Sequence, residues 1–392
     1  MQRNPQELTG GDFARRLAFF YAALFVTLGV QLPFLPVWLA ARGLDAQTIG
    51  IVLALPMVVR LFAIPMATRI ADRYDALKAV IVAGAILTLS GFSVLGFAAG
   101  PLAIAAVYVA AATAQMPLFT LADVYALRGL KPHRRAYGPV RLWGSAAFVA
   151  TSVTAGLLLD LIAASDLIWL LVAAMGLSLA AACALSPVEP RPATAAAAPP
   201  AARLLLRDPA FLAVAIAASL IQGSHALYYG FSTIDWQAAG FDGPAIGALW
   251  GIGVLAEIVL FAFSARLPAS FTPGVLLAIG AAGAVVRWTA MAFAPTGLLL
   301  LLLLQCLHAF SFGATHLGTI AYVAHVAPAG LAATSQGYVA VMLGVAMAGA
   351  MGLSGLLYGR FGGAAYAAMA VIAGGGAVAA LVAKRLMTDD RA

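Results

Sequence analysis

Two stretches of this chain, FLPVWLAARGLDAQTIG at 34–50 and FSTIDWQAAGFDGPAIG at 231–247, match at a constant offset of 197 residues. Six of the seventeen positions are identical: Phe34/Phe231, Ala41/Ala238, Gly43/Gly240, Asp45/Asp242, Ile49/Ile246 and Gly50/Gly247. Each stretch ends one apolar run, passes through Gly-x-Asp and opens the next. That is the pattern of a helix that leaves a bilayer, turns and re-enters it. Both stretches emerge on the same side, so the repeat is parallel and predicts two halves related by an axis along the membrane normal.

Working outward, the same alternation of apolar run and short polar break fills the chain. The first run, 17–40, is too long for a signal-peptide core. Further spans are predicted at 46–68, 77–99, 102–127, 139–162 and 165–186, then at 209–238, 244–265, 272–294, 297–325, 331–357 and 364–386. The stretch PVEPRPATAAAAPPAA (187–202) holds no apolar span and divides them six and six. The expected organisation is a 1–186 half, a 187–206 cytoplasmic linker and a 207–392 half. Lys and Arg placement supports the count. With the N-terminus inside, 18 of the 22 basic residues fall in cytoplasmic segments, only Arg42 and Arg360 lie outside, and Arg60 and Arg287 lie within spans. One miscounted span would invert the sides and destroy this bias. The expected location is the inner (cell) membrane with both termini cytoplasmic.

Composition excludes the other classes. Of 392 residues, 63% are hydrophobic and 9% charged, against roughly 25% charged in a soluble domain. A soluble enzyme and a nucleic-acid-binding domain are excluded on that ground, despite a net charge of +7. No metal-ligand spacing, phosphate loop or nucleophile motif is present, so neither metal nor cofactor is expected. The two cysteines, Cys183 and Cys306, sit in apolar runs and read as packing residues.

Four stretches carry a family resemblance. TRIADRYDALK (68–78) looks like the cytoplasmic Gly-x-x-x-Asp-Arg loop of the major facilitator superfamily; Asp72 and Arg73 match, while Thr68 and Asp75 stand where glycines are usual. YGPVRLWGSAAFV (137–149), the long stretch 222–264 beginning QGSHALYYGFSTIDW, and VVRWTAM (285–291) resemble the 3-phenylpropionic acid transporter branch, grouped with lactose-permease-like proton symporters. The resemblance implies the major facilitator fold, twelve transmembrane helices in two six-helix bundles, and proton-coupled uptake of a small organic substrate.

Charged and polar groups at mid-membrane are costly, about 2.5–3.5 kcal/mol each on insertion scales, and normally face the bundle interior. In the seventh span His225, Tyr228, Tyr229, Ser232, Asp235 and Trp236 recur at helical spacing. Trp250 and Glu257 share a face of the eighth span, and His308 lies on the tenth. Gln31 and Phe34 lie on one face of the first span, with Gln115 in the fourth. These stripes predict a substrate cavity with an aromatic lining and a few polar groups. Arg287 or Arg60 is the candidate for a substrate carboxylate, and Glu257, with His308 and His225, for the proton. Each also has a packing reading: Glu257 and Arg287 as a structural pair, the histidines as interhelical glue, the aromatics as core. Asp72, Arg73, Asp123 and Arg141 are expected at a cytoplasmic gate, with Asp123 reaching Arg128 or Arg141. The expected partners are a small-molecule substrate, protons and the lipid bilayer, with the protein a monomer. A proton-antiport exporter and a nucleoside or sugar symporter remain alternatives.

Overall fold

The structure is a computed structural model and describes residues 10–188, 205–294, 296–327 and 332–389. The Pro/Ala-rich linker, and with it Arg191 and Arg203, lies largely outside these residues. All described spans are helices: α1 Gly10–Ala41, α2 Ala46–Arg73, α3 Leu77–Phe97, α4 Pro101–Leu130, α5 Tyr137–Leu159 and α6 Leu167–Cys183, then α7 Pro209–Gly223, α8 Ala226–Ala238, α9 Gly243–Phe263, α10 Pro273–Ala292, α11 Leu298–Cys306, α12 Thr315–Val326, α13 Ala332–Phe361 and α14 Tyr366–Asp389. Joining α7 to α8 and α11 to α12 gives twelve crossings. The final 54-residue apolar stretch, Thr334–Met387, becomes two of them because Gly362 takes φ +56° and breaks it.

The described chain forms two compact units. One comprises Met1–Leu44 and Val59–Ala193, the other Asp45–Val58 and Thr194–Ala392. In the first, α1 packs on α5 and α6, and α3 on α4 and α6. In the second, α7 packs on α13 and α14, and α10 on α12 and α14. Counted in spans, these are the same pairings shifted by six, so the repeat seen in seventeen residues extends to the packing of whole helices. Phe20, Leu24, Ile81, Leu121 and Tyr125 are core residues of the first unit; Phe211, Val214, Leu277 and Ala380 are core residues of the second.

The repeated motif has a local cause. Gly43 and Gly240 adopt φ +83° and +87°, a left-handed turn suited to glycine at the end of a helix. The aspartate two residues on then caps the next helix: Asp45 Oδ1 accepts from the Thr48 N–H at 2.7 Å, Asp242 Oδ1 from the Ala245 N–H at 2.9 Å. The motif's final glycine in α2, Gly50, lies against α13: a Cβ built on it would be 2.7 Å from Gly355 Cα. The close approach on α13 is thus at Gly355. Gly352, three residues earlier on α13, faces open space.

Two spans predicted as continuous helices are interrupted. Span seven breaks at Ser224–His225, where Ser224 Oγ donates to the Ile221 carbonyl at 2.6 Å and His225 Nδ1 lies 3.1 Å from the same oxygen. Side chains that capture a backbone carbonyl compete with the helix ladder. Span ten widens into a π-helix over Ala309–Ala314. The two irregular turns face each other, with His225 Nε2 3.0 Å from Ser311 Oγ and Gln222 Nε2 donating to the Phe312 carbonyl at 3.4 Å.

Candidate functional site

The second unit gathers the strongest candidates around Arg287 of α10, whose side chain is fully enclosed. Its Nη2 donates to Gln305 Oε1. Its Nη1 lies 3.1 Å from His308 Nδ1 and 3.5 Å from Ser311 Oγ. The guanidinium carbon stands 4.5 Å from the ring centres of both Tyr228 and Trp288, a desolvated cation–π contact with each ring. Only Nε has no partner among the described residues. On the far side of the imidazole, His308 Nε2 lies 3.5 Å from Glu257 Oε2, and the Glu257 side chain is 19% exposed. The sequence reading of Glu257 and Arg287 as neighbours acquires an intermediary in His308.

Donor and acceptor rules fix the tautomers. A guanidinium only donates, so His308 Nδ1 accepts and its proton sits on Nε2, aimed at Glu257. His225 is the reverse. Its Nδ1 faces the Ile221 carbonyl and carries the proton, so Nε2 accepts from the Ser311 hydroxyl. Ser311 in turn accepts from Arg287.

Aromatic rings close the remaining sides. Trp250 lies 4.5 Å from Tyr228 and 6.4 Å from Tyr229, centre to centre, and its indole N–H donates to Thr233 Oγ1 at 2.9 Å. Trp288 is fixed by a 2.8 Å bond to Ser224 Oγ, which ties the ring under Arg287 to the break in span seven. Ser232 is turned back on its own helix, donating to the Tyr228 carbonyl at 2.7 Å. Asp235 accepts from Tyr358 at 3.3 Å; Trp236 is buried, and its indole nitrogen has no hydrogen-bond partner among the described residues. The predicted seventh-span stripe therefore divides: its inner end joins Arg287, while Asp235 joins Tyr358. Ser311, Trp288, Ser224 and Tyr358 complete these contacts. Sequence reasoning missed them because hydroxyls and indoles are common in apolar spans.

In the first unit Gln115 Nε2 donates to Gln31 Oε1 at 2.6 Å, and Phe34 is buried in the packing. Arg60 makes no ion pair among the described residues. The expected pairing of Asp123 with a basic residue is corrected: its carboxylate accepts from Tyr21 at 2.6 Å and Tyr137 at 2.7 Å. Arg128 instead binds Asp72 at 2.5 Å, with Asp75 at 3.8 Å. Arg141 lies over Phe25 and Tyr21, and Arg73 over Tyr74. Asp75, where the family loop has glycine, holds φ +45°, a left-handed position aspartate tolerates. No cluster of metal-binding side chains occurs among the described residues.

Comparison with known proteins agrees with this architecture. The chain is 34% identical over 365 residues to the "Probable 3-phenylpropionic acid transporter" of Escherichia coli (strain K12), covering 92% of this chain and 95% of that one. It is 28% identical over 295 residues to the maltose permease of Geobacillus stearothermophilus, 73% of each chain. The crystal structure of the nucleoside transporter NupG superposes with a TM-score of 0.80 at 17% identity, covering 96% of this chain and 99% of that one. That likeness is one of fold. The family model of MFS_1-like proteins matches residues 14–368, and the chain belongs to this family of major facilitator transporters.

Proposed function

We propose that this transporter is a proton-coupled symporter of a small aromatic carboxylate, working by alternating access between the halves 1–186 and 207–392 joined by the 187–206 linker. The observation that carries the reading is the array Arg287–His308–Glu257, a buried cation and a carboxylate joined through one imidazole. Tyr228, Tyr229 and Trp250 beside it supply aromatic surface for a ring. The name of the Escherichia coli relative points to the same substrate class.

In this mechanism the substrate carboxylate competes for Arg287, with Arg60 as the second candidate cation. As Arg287 turns to the substrate, His308 Nδ1 loses its donor and Glu257 loses the cation behind the imidazole. Burial disfavours an unsupported carboxylate. Glu257 then takes a proton, and substrate and proton cross together. His225, with both nitrogens committed to Ile221 and Ser311, holds the helix break and does not carry the transported proton. Asp72 with Arg128, and Asp123 with Tyr21 and Tyr137, serve the gate at the cytoplasmic side, where both termini lie; the protein acts as a monomer in the inner membrane.

Glu257→Gln in proteoliposomes tests the proton role. The expected result is loss of proton-driven accumulation with exchange of preloaded substrate retained; undiminished accumulation excludes Glu257 as the carrier. Arg287→Lys tests the carboxylate. Uptake of 3-phenylpropionate should fall well beyond that of its neutral amide, because a lysine cannot present a planar fork. Equal losses for both compounds would remove Arg287 from substrate binding.

A further inference from the structure

A groove of about 490 Å³ opens where α1 begins and α5 begins, lined among others by Asp12, Arg15, Arg135, Pro139, Val140 and Trp143. A second hollow of about 370 Å³ shares Arg135, Pro139 and Val140 and continues it to His133 and Arg134. Both lie within the first unit, and neither is lined by a residue given a role above. The loop KPHRR (131–135) is folded back to place its charges here. The Arg134 N–H donates to the Lys131 carbonyl at 3.1 Å, the Arg135 N–H to the Leu130 carbonyl at 3.2 Å, and Arg134 accepts φ +52° to make the turn. A long basic residue in that backbone region is uncommon and costs energy.

The charges are uncommitted by comparison with their neighbours. Arg128 is held by Asp72, Arg16 donates to the Ala184 carbonyl, and Arg141 lies on aromatic rings. Arg134 and Arg135 have no acidic partner among the described residues. One carboxylate does face the groove: Asp12, which pairs with Arg15 one turn away. It leaves Arg15 largely exposed, at 81%, and the groove net positive. Deeper along α5, Trp143 is 61% exposed and Leu142 51%, with Phe19 of α1 at 46%. Trp143 lies six residues into α5, about 9 Å along the helix from its start. Basic residues at a helix end, an exposed indole one to two turns deeper and an apolar strip beyond it match, in order, a phosphate, an interface and acyl chains.

We propose that this groove binds the headgroup of an anionic phospholipid, with Arg15 and Arg135 on the phosphate and Trp143 beside the glycerol and upper acyl chain. Native mass spectrometry of the purified protein, titrated with phosphatidylglycerol and separately with phosphatidylcholine, tests it. Phosphatidylglycerol should be retained preferentially. Each basic residue near such a surface is worth about fivefold in affinity, so Arg15→Gln with Arg135→Gln should weaken retention about twenty-five-fold. Arg266→Gln, in the other unit, should leave it unchanged. Excess inorganic phosphate should not displace the lipid, because the acyl contacts remain. Quenching by brominated phosphatidylglycerol gives a second reading: Trp143→Phe should lower it by more than it lowers quenching by brominated phosphatidylcholine, and an equal fall with both lipids would count against the site. Equal retention of the two lipids, retention unaltered in the double variant, or displacement by phosphate alone would each overturn the proposal. If the double variant misfolds, Arg15→Lys with Arg135→Lys must keep the preference, and its loss there would also count against it.

Discussion

Removing the charge of Arg287 tests whether the buried array is electrically connected. The path from the Arg287 guanidinium through His308 to the Glu257 carboxylate is 3.1 Å, one imidazole and 3.5 Å. The two charges are therefore at most about 9 Å apart, and at an effective dielectric of about 20 their attraction is roughly 2 kcal/mol. Arg287→Met alone leaves Gln305 Oε1 and His308 Nδ1 without their donor and Glu257 without its cation. Breaking a buried pair in this way costs about 3–5 kcal/mol. Glu257→Gln alone removes a carboxylate that is 19% exposed and should cost less. The informative quantity is the cycle: in the double variant the loss should fall short of the sum of the singles by about 2 kcal/mol. Equilibrium unfolding in detergent at a pH where Glu257 is ionised would measure it. A coupling below about 0.5 kcal/mol would mean that the carboxylate does not feel Arg287, and the exchange of partners proposed for transport would lose its physical basis.

Two further predictions concern the frame of the site. A Cβ on Gly355 would lie 2.5 Å from the Ala46 carbonyl and 2.9 Å from Gly50 Cα, both backbone atoms with little room to give, whereas Gly352 faces open space; Gly355→Ala should cost about 1–3 kcal/mol by overpacking and Gly352→Ala should be nearly silent, as thermal unfolding would show. Asp242→Ala should cost about 1 kcal/mol as a lost cap of α9. At the repeated position the Thr48 N–H holds the Asp45 carboxyl below its ordinary range, so that cap's contribution is complete above the ordinary carboxylate pKa and disappears as pH falls through the lower folded value; Asp45→Asn, which caps without ionising, should flatten that part of the acid unfolding profile.

The span count, the six-and-six repeat and the gathering of Arg287, His308, Glu257, Tyr228 and Trp250 were all legible in the sequence, because each rests on a strong energetic rule. Apolar length sets spans, basic residues mark one side, and mid-membrane charges turn inward. What stayed hidden depends on single hydrogen bonds. Hydropathy does not register that Ser224 and His225 capture the Ile221 carbonyl, nor that 309–314 widens by one residue per turn. Helical spacing consequently predicted one stripe from His225 to Trp236, while the structure sends Ser232 back to its own backbone and Asp235 to Tyr358. Asp123 was misread for a related reason. Opposite charge suggested Arg128 or Arg141, but two tyrosine hydroxyls satisfy a partly buried carboxylate without bringing in a second charge to desolvate.

The two mid-membrane histidines illustrate how much chemistry separates residues of one type. In sequence His225 and His308 are equivalent candidates, each on an aromatic face. In the structure their ring centres are 5.5 Å apart, yet the groups they face assign opposite tautomers. His225 points its N–H at a backbone carbonyl that cannot leave, so the ring is held in place whatever happens at Arg287. His308 accepts from a side chain and directs its N–H toward another side chain, and both of those partners can change rotamer or charge. Of the two, only His308 therefore lies between Arg287 and Glu257. The break in span seven and the wide turn in span ten underlie that difference: the first takes the Ile221 carbonyl out of the helix ladder, where Ser224 and His225 share it, and the second brings Ser311 to His225 and within 3.5 Å of Arg287.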